Sequence, residues 1–390
     1  MLLPASNRMT GSASGPLASQ RSRTGRVIPI QLSLLALIAS TLPIWAQSSY
    51  PYNATSCEQC HSVPSKFGSS KLTVQRTGTI SHGQYVPGTE GGIRHRVRAS
   101  ASQPAIADQM VSERVSLNLL GDGFIESIDP NDIRKNSERQ RRQASEIRGS
   151  IVSSPILESD PVKPFMEVGR FGWKAQHASL LSSCADSMRS ELGIRNRFFP
   201  EEYTTHTPKS DPTPFDKVDP KTGKTELDRL VKKIRHTPPP PRDEALAASA
   251  EARLGEQIFS QIGCALCHVP TYRTLPAGST INGGTYRVPA DLGDKVIHPY
   301  SDFLLHDIGT GDGIPQAARP EYLDSSTADK FRTGLLWGLR FRSWMMHDGK
   351  SLTYHQAIMR HAGEAIRVRE RYEELAPLEK QQLRAFLNSL

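Results

Sequence analysis

The stretch CALCH at residues 264–268 repeats the pattern of an earlier stretch, CEQCH at residues 57–61, and together they hold four of the five cysteines in the chain. A C-x-x-C-H motif is typical of haem c attachment, because two thiols three positions apart can each add to a haem vinyl group. The histidine that follows can then ligate the iron from one side. We therefore predict two covalently bound haem c groups, held by Cys57, Cys60 and His61 and by Cys264, Cys267 and His268.

A zinc site, a pair of disulfides and a thioredoxin-like redox pair each fit the cysteine pattern less well than haem does. A four-cysteine zinc site brings its pairs within about 15 to 20 residues of each other, whereas about two hundred residues separate these pairs. Simple disulfides leave the histidine after each pair unexplained, and a thioredoxin-like pair needs a βαβ context that neither motif has. The fifth cysteine, Cys184, is predicted to be a buried free thiol rather than a catalytic one.

Residues 1–46 have the pattern of a secretory signal. Four arginines and no acidic residue precede a mostly apolar stretch, residues 27–45, which ends at the small residue Ala46. We predict cleavage after Ala46 and export to the periplasm or beyond. The alternative is an uncleaved N-terminal membrane anchor, although Pro29 and Pro43 leave only a short span. Both alternatives place the body of the protein in a compartment where free C-x-x-C pairs tend to oxidise unless they react with haem.

The composition excludes several classes of protein. A chain of 390 residues is long enough for two or three domains with hydrophobic cores. A mean hydropathy of −0.45 excludes a membrane protein with many spans. Without the four arginines of residues 1–46 the net charge falls from +8 to +4, so no nucleic-acid-binding surface is indicated.

Helical periodicity and helix caps predict a mainly α fold, made of two cytochrome c-like haem domains with extensive irregular loops. A helix over residues 243–259 leads into the second motif, and further helices are expected over residues 351–363, with Ser351 as N-cap, and 377–388. Residues 62–113 are rich in Gly, Ser and Thr, which predicts irregular structure around a cofactor. The charged residues 129–165 predict a solvated loop or surface helix.

The domain boundary is predicted from a change in composition. Residues 199–242 are rich in Pro, Thr, Lys and Asp and end in four consecutive prolines, Pro238 to Pro241, which favour a stiff polyproline II segment. We therefore predict a signal peptide at residues 1–46, an N-terminal haem c domain at residues 47–236 and a C-terminal cytochrome c-like haem domain at residues 237–390.

From Arg114 onward the sequence resembles the bacterial di-haem oxidoreductase family. Its members are described as peroxidases or thiol-oxidoreductase-like proteins and are related to di-haem cytochrome c peroxidases. With the first haem motif, the resemblance covers nearly all of residues 57–390 and is weakest over residues 62–113. The stretches that carry it are LLGDGFIESI (119–128), GRFGWKAQHASLL (169–181), IGCALCHVPT (262–271), HPYSDFLLHDIGTG (298–311), FRTGLLWGL (331–339), MHDGKSLTYHQAI (346–358) and HAGEA (361–365).

The resemblance implies a set of iron ligands. His61 and His268 match the proximal ligands of the family. In di-haem peroxidases a methionine fourteen residues after the histidine of an H-[DS]-G motif binds the iron of the C-terminal, electron-transferring haem. Fourteen residues after His347 stands His361, which implies a His/His haem with a lower potential than a His/Met haem. His347 would lie near that haem, with Asp348 able to fix its tautomer.

Two further roles follow from the resemblance, and one ligand is left open by it. Trp173 in GWKA matches a tryptophan that couples the two haems, the alternative being a plain core tryptophan. Glu191 falls near the carboxylate that moves a proton during peroxide cleavage, the alternative being a surface glutamate. No motif fixes the distal ligand of the N-terminal haem. His82 is the candidate, with His95 as a second, and a ligand on a loop could leave and open the iron.

The expected function is that of an exported di-haem c-type oxidoreductase, most like a peroxidase. Electrons from a small periplasmic protein would enter at the C-terminal haem and reduce peroxide at the N-terminal haem. The same groups could instead oxidise a substrate, with electrons leaving to an acceptor protein. The alternative function is that of a periplasmic di-haem electron-transfer cytochrome without catalytic activity. The resemblance also allows a Ca²⁺ ion, bound partly by the backbone carbonyls of Arg342 and Trp344, and a homodimer.

Overall fold

The computed structural model describes residues 53–82, 84–88, 93–94, 110–143, 146–160, 162–201 and 215–390. The predicted signal sequence at residues 1–46 and the candidate ligand His95 lie outside the described residues. Within the described ranges, none of the helices has the length and apolar character needed to cross a membrane.

The helices of the described residues lie mainly after residue 120. Several begin at a side-chain cap, which supplies an acceptor for the free N–H groups of the first turn. Ser179, Thr225 and Ser249 each accept such a hydrogen bond. The α-helices are α1 (Cys57–Cys60), α2 (Asp122–Glu126), α3 (Pro130–Arg142), α4 (Leu180–Leu192), α5 (Glu226–Arg235), α6 (Glu244–Ala247), α7 (Ala250–Gln261), α8 (Tyr354–Met359), α9 (Ile366–Glu374) and α10 (Pro377–Ser389).

The strands form several small antiparallel sheets. Strand β1 is the centre of a four-stranded sheet and pairs with β2, β3 and β4, whereas the later strands pair two by two, β5 with β6, β7 with β10, β8 with β9 and β11 with β12. The strands are β1 (Thr73–Ser81), β2 (Gln84–Pro87), β3 (Ile93–Arg94), β4 (Met110–Val115), β5 (Ser153–Ile156), β6 (Phe165–Val168), β7 (Tyr272–Arg273), β8 (Thr280–Ile281), β9 (Tyr286–Arg287), β10 (Val296–Ile297), β11 (Leu305–His306) and β12 (Phe331–Arg332).

The prediction of a mainly α fold is wrong, because the structure mixes helices with these sheets. The error lies chiefly in residues 62–113, where irregular structure was expected. Strand β1 has the sequence TVQRTGTIS, in which Thr, Val and Ile are β-branched and favour extended backbone. Its Thr and Ser residues lower the hydrophobicity of the stretch, so the alternation of buried and exposed positions is weak in the sequence.

The helices near the second motif agree better with the sequence. Helix α7 leads into Cys264, and the last helix, α10, packs across it, so that Phe259 and Phe386 are in contact with ring centroids 5.2 Å apart. The helix expected from Ser351 is shorter, because Thr353 rather than Ser351 accepts the capping hydrogen bond of α8. The charged stretch contains helix α3, consistent with the surface-helix alternative.

Two main hydrophobic clusters fill the interior. The first contains Ile125 and Leu180 from the N-terminal part together with Phe303 and Leu335 from the C-terminal part. The second lies around α7 and α10 and contains Phe259, Leu383 and Phe386. The boundary between residues 236 and 237 stays a prediction, and the first cluster draws side chains from both sides of it.

Candidate functional site

The C-terminal motif lies in the wall of a cavity with a volume of about 210 Å³. Helix α7 ends at Gln261, and a short turn then brings Cys264, Cys267 and His268 to the cavity surface. His361, which follows helix α8, lines the same cavity. The structure thus brings together two histidines that are far apart in sequence and that were both predicted as ligands of one iron.

Both histidines of the C-terminal cavity are held with the Nε2 atom available. The Nδ1 atom of His268 lies 3.0 Å from the backbone oxygen of Tyr300, and that of His361 lies 2.8 Å from the backbone oxygen of Ala357. A carbonyl oxygen only accepts hydrogen bonds, so Nδ1 carries the proton and Nε2 keeps its lone pair. Burial lowers the pKa of both rings, that of His268 to about 4, so both are neutral near pH 7.

The N-terminal motif lines a second cavity, with a volume of about 170 Å³. Helix α1 carries Cys57 and Cys60, and His61 follows it directly. The Nδ1 atom of His61 donates to the backbone oxygen of Leu117 at 2.7 Å, and burial lowers its pKa. His61 therefore presents the same neutral tautomer as His268.

The residues of both cavities fit a haem group. Each cavity offers two cysteine thiols and a neutral imidazole whose other nitrogen bonds to a backbone carbonyl, the contact typical of a metal-bound histidine. Burial raises the pKa of Cys57 and of Cys264 to about 12, which keeps these thiols protonated. Among the described residues the paired cysteines form no disulfide.

The two cavities share a wall. Trp173, Arg332 and Leu335 line both of them, as does the segment 115–118. The indole N–H of Trp173 donates to the backbone oxygen of Val115 at 2.7 Å, which fixes the ring in this wall. Trp173 therefore borders both cavities, and its role in coupling two haems stays a prediction.

A family match agrees with an arrangement of two haem sites. A family model described as "Di-haem oxidoreductase, putative peroxidase" matches residues 92–390. The chain belongs to the di-haem oxidoreductase family. This confirms the resemblance seen in the sequence and supports haem as the cofactor.

One solved structure is similar over part of the chain. It is a hydrazine synthase of Kuenenia stuttgartiensis pressurised with 20 bar of xenon, 20% identical, with a TM-score of 0.27. The match covers 42% of this chain and 55% of that chain, so this chain spans about half the length of the other. A TM-score this low does not establish a common fold. No curated protein matches this chain.

An aromatic cluster borders the C-terminal side of the shared wall. The rings of Phe331 and His347 are stacked with centroids 3.6 Å apart, and Trp173 meets both edge-on, with centroid distances of 6.2 Å to Phe331 and 6.3 Å to His347. His347 thus lies in the C-terminal cavity wall, where the sequence placed it. Its Nε2 atom donates to the backbone oxygen of Thr310 at 2.8 Å.

The prediction that Asp348 fixes the tautomer of His347 is wrong. Asp348 instead accepts hydrogen bonds from the guanidinium of Arg360 at 2.6 and 3.0 Å. The tautomer of His347 is fixed by Thr310, and its Nδ1 atom is buried without a hydrogen-bond partner among the described residues. Burial lowers the pKa of His347 to about 4, so this ring is also neutral.

Glu191 lies at the end of helix α4 and lines the N-terminal cavity, as the resemblance implies. Its carboxylate is already engaged. One oxygen forms an ion pair with Arg76 of strand β1 at 2.9 Å, and the other accepts a hydrogen bond from Asn53. Glu191 therefore lies in the N-terminal cavity, and each of its carboxylate oxygens already has a partner.

His82 lies away from both cavities. It is exposed at the end of strand β1, next to Ser81, whose hydroxyl is 3.1 Å from its Nδ1 atom. Of the described histidines, His61 and His177 line the N-terminal cavity. The role of His82 as a distal ligand stays a prediction.

The N-terminal cavity holds two acidic groups that sequence reasoning missed. Asp186 lies on helix α4, 3.2 Å from the Nε2 atom of His177. Asp122 begins helix α2, and burial raises its pKa to about 8. A motif search could not have found either group, because neither belongs to a metal or nucleophile pattern. His177 lies in the stretch GRFGWKAQHASLL, one of those that carry the family resemblance.

The predicted calcium site has no side-chain counterpart. Among the described residues one group of three or more His, Cys, Asp or Glu side chains is close enough to hold an ion, Cys267 with Asp302 and His306. Its cysteine belongs to the second haem motif. Burial opposes a charge on His306, but the Asp302 carboxylate raises its pKa well above the ordinary value. His306 is therefore a cation in a buried ion pair, and Ca²⁺ binding through Arg342 and Trp344 stays a prediction.

Proposed function

We propose that this chain is an exported di-haem c-type oxidoreductase that reduces peroxide. The observation that carries the proposal is the pair of cavities, each lined by one C-x-x-C-H motif, with Trp173 in the wall that they share. Two redox centres with a common wall suit a reaction in which one centre receives electrons and the other meets the substrate. Family membership supports the oxidoreductase class.

The protein's own residues would hold and tune the cofactors. Cys57 and Cys60 attach one haem, and the corresponding thiols at residues 264 and 267 attach the other. His61 and His268 would donate Nε2 to the iron, and His361 would supply a further ligand in the C-terminal cavity. When bound, the haem groups supply the metal that binds peroxide and the redox levels that store electrons.

The path of electrons and protons follows from the placement of these residues. A small reduced protein outside the cytoplasm would donate to the C-terminal side, and Trp173 lies in the wall that electrons must cross. Two electrons and two protons convert one peroxide into two waters. Proton transfer at the N-terminal cavity needs a side chain with a free lone pair, and the protonatable groups that line it include Glu191 and His177.

The test of haem attachment uses cysteine variants of the exported protein. Cys57→Ala combined with Cys60→Ala is expected to remove one of two haems that resist extraction in denaturant, measured as the pyridine haemochrome. Cys184→Ala is the matched control, because Cys184 is buried and lines the same cavity but belongs to no motif. Loss of neither haem in the double variant would contradict covalent attachment.

The test of function is peroxide consumption by the purified holoprotein with a reduced small cytochrome as donor. Turnover of peroxide with matching oxidation of the donor is the expected result. The proposal would be overturned if the protein holds both haems and exchanges electrons with the donor but does not consume peroxide. The protein would then be an electron-transfer cytochrome. Export is tested separately by fractionating cells that express the full chain.

A further inference from the structure

The wall of the C-terminal cavity carries positive charge and no negative charge. Within the part of the chain that the structure describes, three arginines line this cavity, and no aspartate or glutamate does. The arginines are Arg332 of strand β12, Arg342 between that strand and helix α8, and Arg369 of helix α9. The cation His306 also lines the cavity, but two carboxylates behind the wall are already paired with it. The cavity is therefore suited to an anionic group.

Two of the three arginines have no carboxylate partner among the described residues. Arg369 lies 3.6 Å from a carboxylate oxygen of Glu373. The side chains of Arg332 and Arg342 donate hydrogen bonds to backbone oxygens alone. Burying a charge is costly unless an opposite charge pairs with it. Two unpaired guanidiniums in one cavity wall therefore indicate a site for an anion.

The acidic groups nearest to Arg332 do not neutralise it. Burial raises the pKa of Asp122 to about 8, so this carboxyl is protonated near pH 7. Asp302 is ionised, but it already accepts hydrogen bonds from His306 and Gln140. Burial lowers the pKa of Arg332 to about 10, although Asp122 and Asp302 act in the opposite direction. The guanidinium of Arg332 therefore stays charged near pH 7.

Arg342 adds a second charge close to the first. Burial and the charge of Arg332 lower the pKa of Arg342 to about 10, so both guanidiniums are cations near pH 7. Three nitrogens make no hydrogen bond among the described residues, namely Nη2 of Arg332 and the Nε and Nη1 atoms of Arg342. Unlike Nε of Arg369, none of these three nitrogens is sealed inside the protein. A group bound in the cavity can accept hydrogen bonds from them.

We propose that Arg332 and Arg342 bind the propionate carboxylates of the haem in the C-terminal cavity. Haem has a large apolar ring with two carboxylates at one edge, which matches an apolar cavity with two unpaired guanidiniums. The N–H groups of a guanidinium form strong, charge-assisted hydrogen bonds to a carboxylate. This inference rests on the part of the proposed function that places a haem in this cavity, and not on the reaction with peroxide.

The proposed site determines how the haem ring is turned in its own plane. Vinyl and propionate groups lie at opposite edges of haem, so attachment at Cys264 and Cys267 and binding by the arginines hold both edges. The backbone N–H of Arg332 donates to the backbone oxygen of Trp173 at 2.7 Å. Since both residues line the wall that the two cavities share, the propionate edge is directed toward that wall. Positive charge at this edge favours the reduced haem and raises its potential.

The experiment compares Arg342→Gln, Arg342→Lys and Arg332→Gln in the holoprotein with both haems bound. The first readout is the resonance Raman band of propionate bending, which shifts when the propionate loses a hydrogen bond. The second is the reduction potential of the C-terminal haem, from a spectroelectrochemical titration. Both Gln variants are expected to shift the band and to lower the equilibrium constant for reduction about ten-fold, which is 59 mV for one electron. Arg342→Lys keeps the charge and is expected to retain most of the potential.

The matched control is Arg340→Gln, which removes the same charge two residues away. Arg340 pairs with Asp243 and is not among the residues that line the cavity, so both readouts are expected to stay unchanged. Arg342→Gln is the decisive variant if Arg332→Gln does not fold, because the Arg342 side chain makes a single hydrogen bond, to Trp337 at 3.3 Å, among the described residues.

Two results would overturn the inference. The first is an unchanged propionate band in Arg342→Gln, even with a lower potential, because a charge acting from a distance would then explain the potential. The second is a change confined to the N-terminal haem. A holoprotein that does not consume peroxide overturns the proposed function instead, while both readouts still test the two arginines.

Discussion

Three histidines that line the two cavities share one arrangement at the residue scale. His61, His268 and His361 each direct Nδ1 to a backbone carbonyl and are kept neutral by burial. The backbone, rather than a neighbouring side chain, therefore sets the tautomer of each histidine that is predicted to ligate iron. The sequence predicted the identity of these residues from motifs and spacing, but their tautomers depend on carbonyls that only the fold brings into place.

The pair His268 and His361 predicts a property that can be measured. His361→Met is expected to raise the reduction potential of the C-terminal haem on the order of 0.1 V, because thioether sulfur favours the reduced iron more than imidazole does and axial ligands span about 0.8 V in all. The potential is measured by a spectroelectrochemical titration. His355→Met is the control, since His355 is exposed on helix α8. An unchanged C-terminal potential in His361→Met would exclude His361 as a ligand.

Asp122 gives a pH dependence of stability. Burial raises its pKa from 3.8 to about 8, so the folded protein keeps a proton that the unfolded chain releases. The free energy of unfolding is therefore expected to fall as the pH rises from about 4 to about 8, by up to about 1.4 kcal/mol per pH unit from this group. In Asp122→Asn this contribution to the slope of unfolding free energy against pH is expected to be absent. The measurement is the free energy of unfolding of both proteins, from denaturant titrations at pH 6 and pH 8. Equal slopes in the two proteins would show that Asp122 is ionised in the folded state.

At the element scale, helices α7 and α10 pack too closely for a side chain at Gly255. A Cβ atom there would lie 2.1 Å from the backbone oxygen of Gln382 and 2.8 Å from Cβ of Phe386. In an exposed helix, Gly→Ala stabilises by about 1 kcal/mol. Here Gly255→Ala is expected to destabilise by about 1–3 kcal/mol, since the helices must move apart.

The measurement for Gly255→Ala is the midpoint of thermal or denaturant unfolding. Glu251→Ala on the exposed face of the same helix is the control and is expected to change stability little. A stabilised Gly255→Ala protein would contradict the close approach of α7 and α10. Helix α7 leads into the second motif, so the variant also tests the support of the C-terminal cavity.

The elements differ in how well the sequence predicted them. Helices α7 and α10 have apolar residues on one face and clear start signals, so periodicity and caps were sufficient. Strand β1 is stabilised by pairing with β2, β3 and β4, and β4 is some thirty residues away in sequence. Because its residues are mostly polar, the local pattern did not indicate a strand, and the fold class was wrong for this reason.

At the scale of the whole molecule, a buried charge network joins distant segments beside the shared wall. The ammonium of Lys174 is within 3.1 Å of the backbone oxygens of Thr327, Ala328 and Lys330, and 3.3 Å from the carboxylate of Asp312. Asp312 also pairs with Arg114 of strand β4 at 2.6 Å. The network thus connects the residue next to Trp173 with the first sheet and with the loop before strand β12.

We expect a large loss of stability when the Lys174 side chain is removed from this network. Burial lowers the pKa of Lys174 to about 7, so the test is made at pH 6, where the side chain is mostly protonated. There Lys174→Met is expected to lower the free energy of unfolding by about 3–5 kcal/mol, because three carbonyls lose their donor and Asp312 loses one of its two cations. Lys350→Met, at an exposed position, is the control. The measurement is the denaturant midpoint of both holoproteins. A loss below about 1 kcal/mol in Lys174→Met would show that the network contributes little.

Only part of the candidate site could be predicted from the sequence, and the reason is physical. The cysteines predicted to attach each haem and the histidine predicted to ligate its iron lie within five consecutive residues, so these motifs were visible in the sequence. The wall between the cavities combines Trp173, Arg332 and Leu335 with residues 115–118, and the His177 pair depends on how helix α4 meets the chain before it. Such contacts are made by tertiary packing and leave no local pattern.

The most direct test of the central claim is the absorption and electron paramagnetic resonance spectrum of the haem-loaded protein when oxidised, half-reduced and fully reduced, with and without hydrogen peroxide. We expect a high-spin signal from one haem, at rest or after half-reduction, and a further spectral change that appears only with peroxide. Two low-spin haems that stay unchanged by peroxide at every redox level would contradict the account.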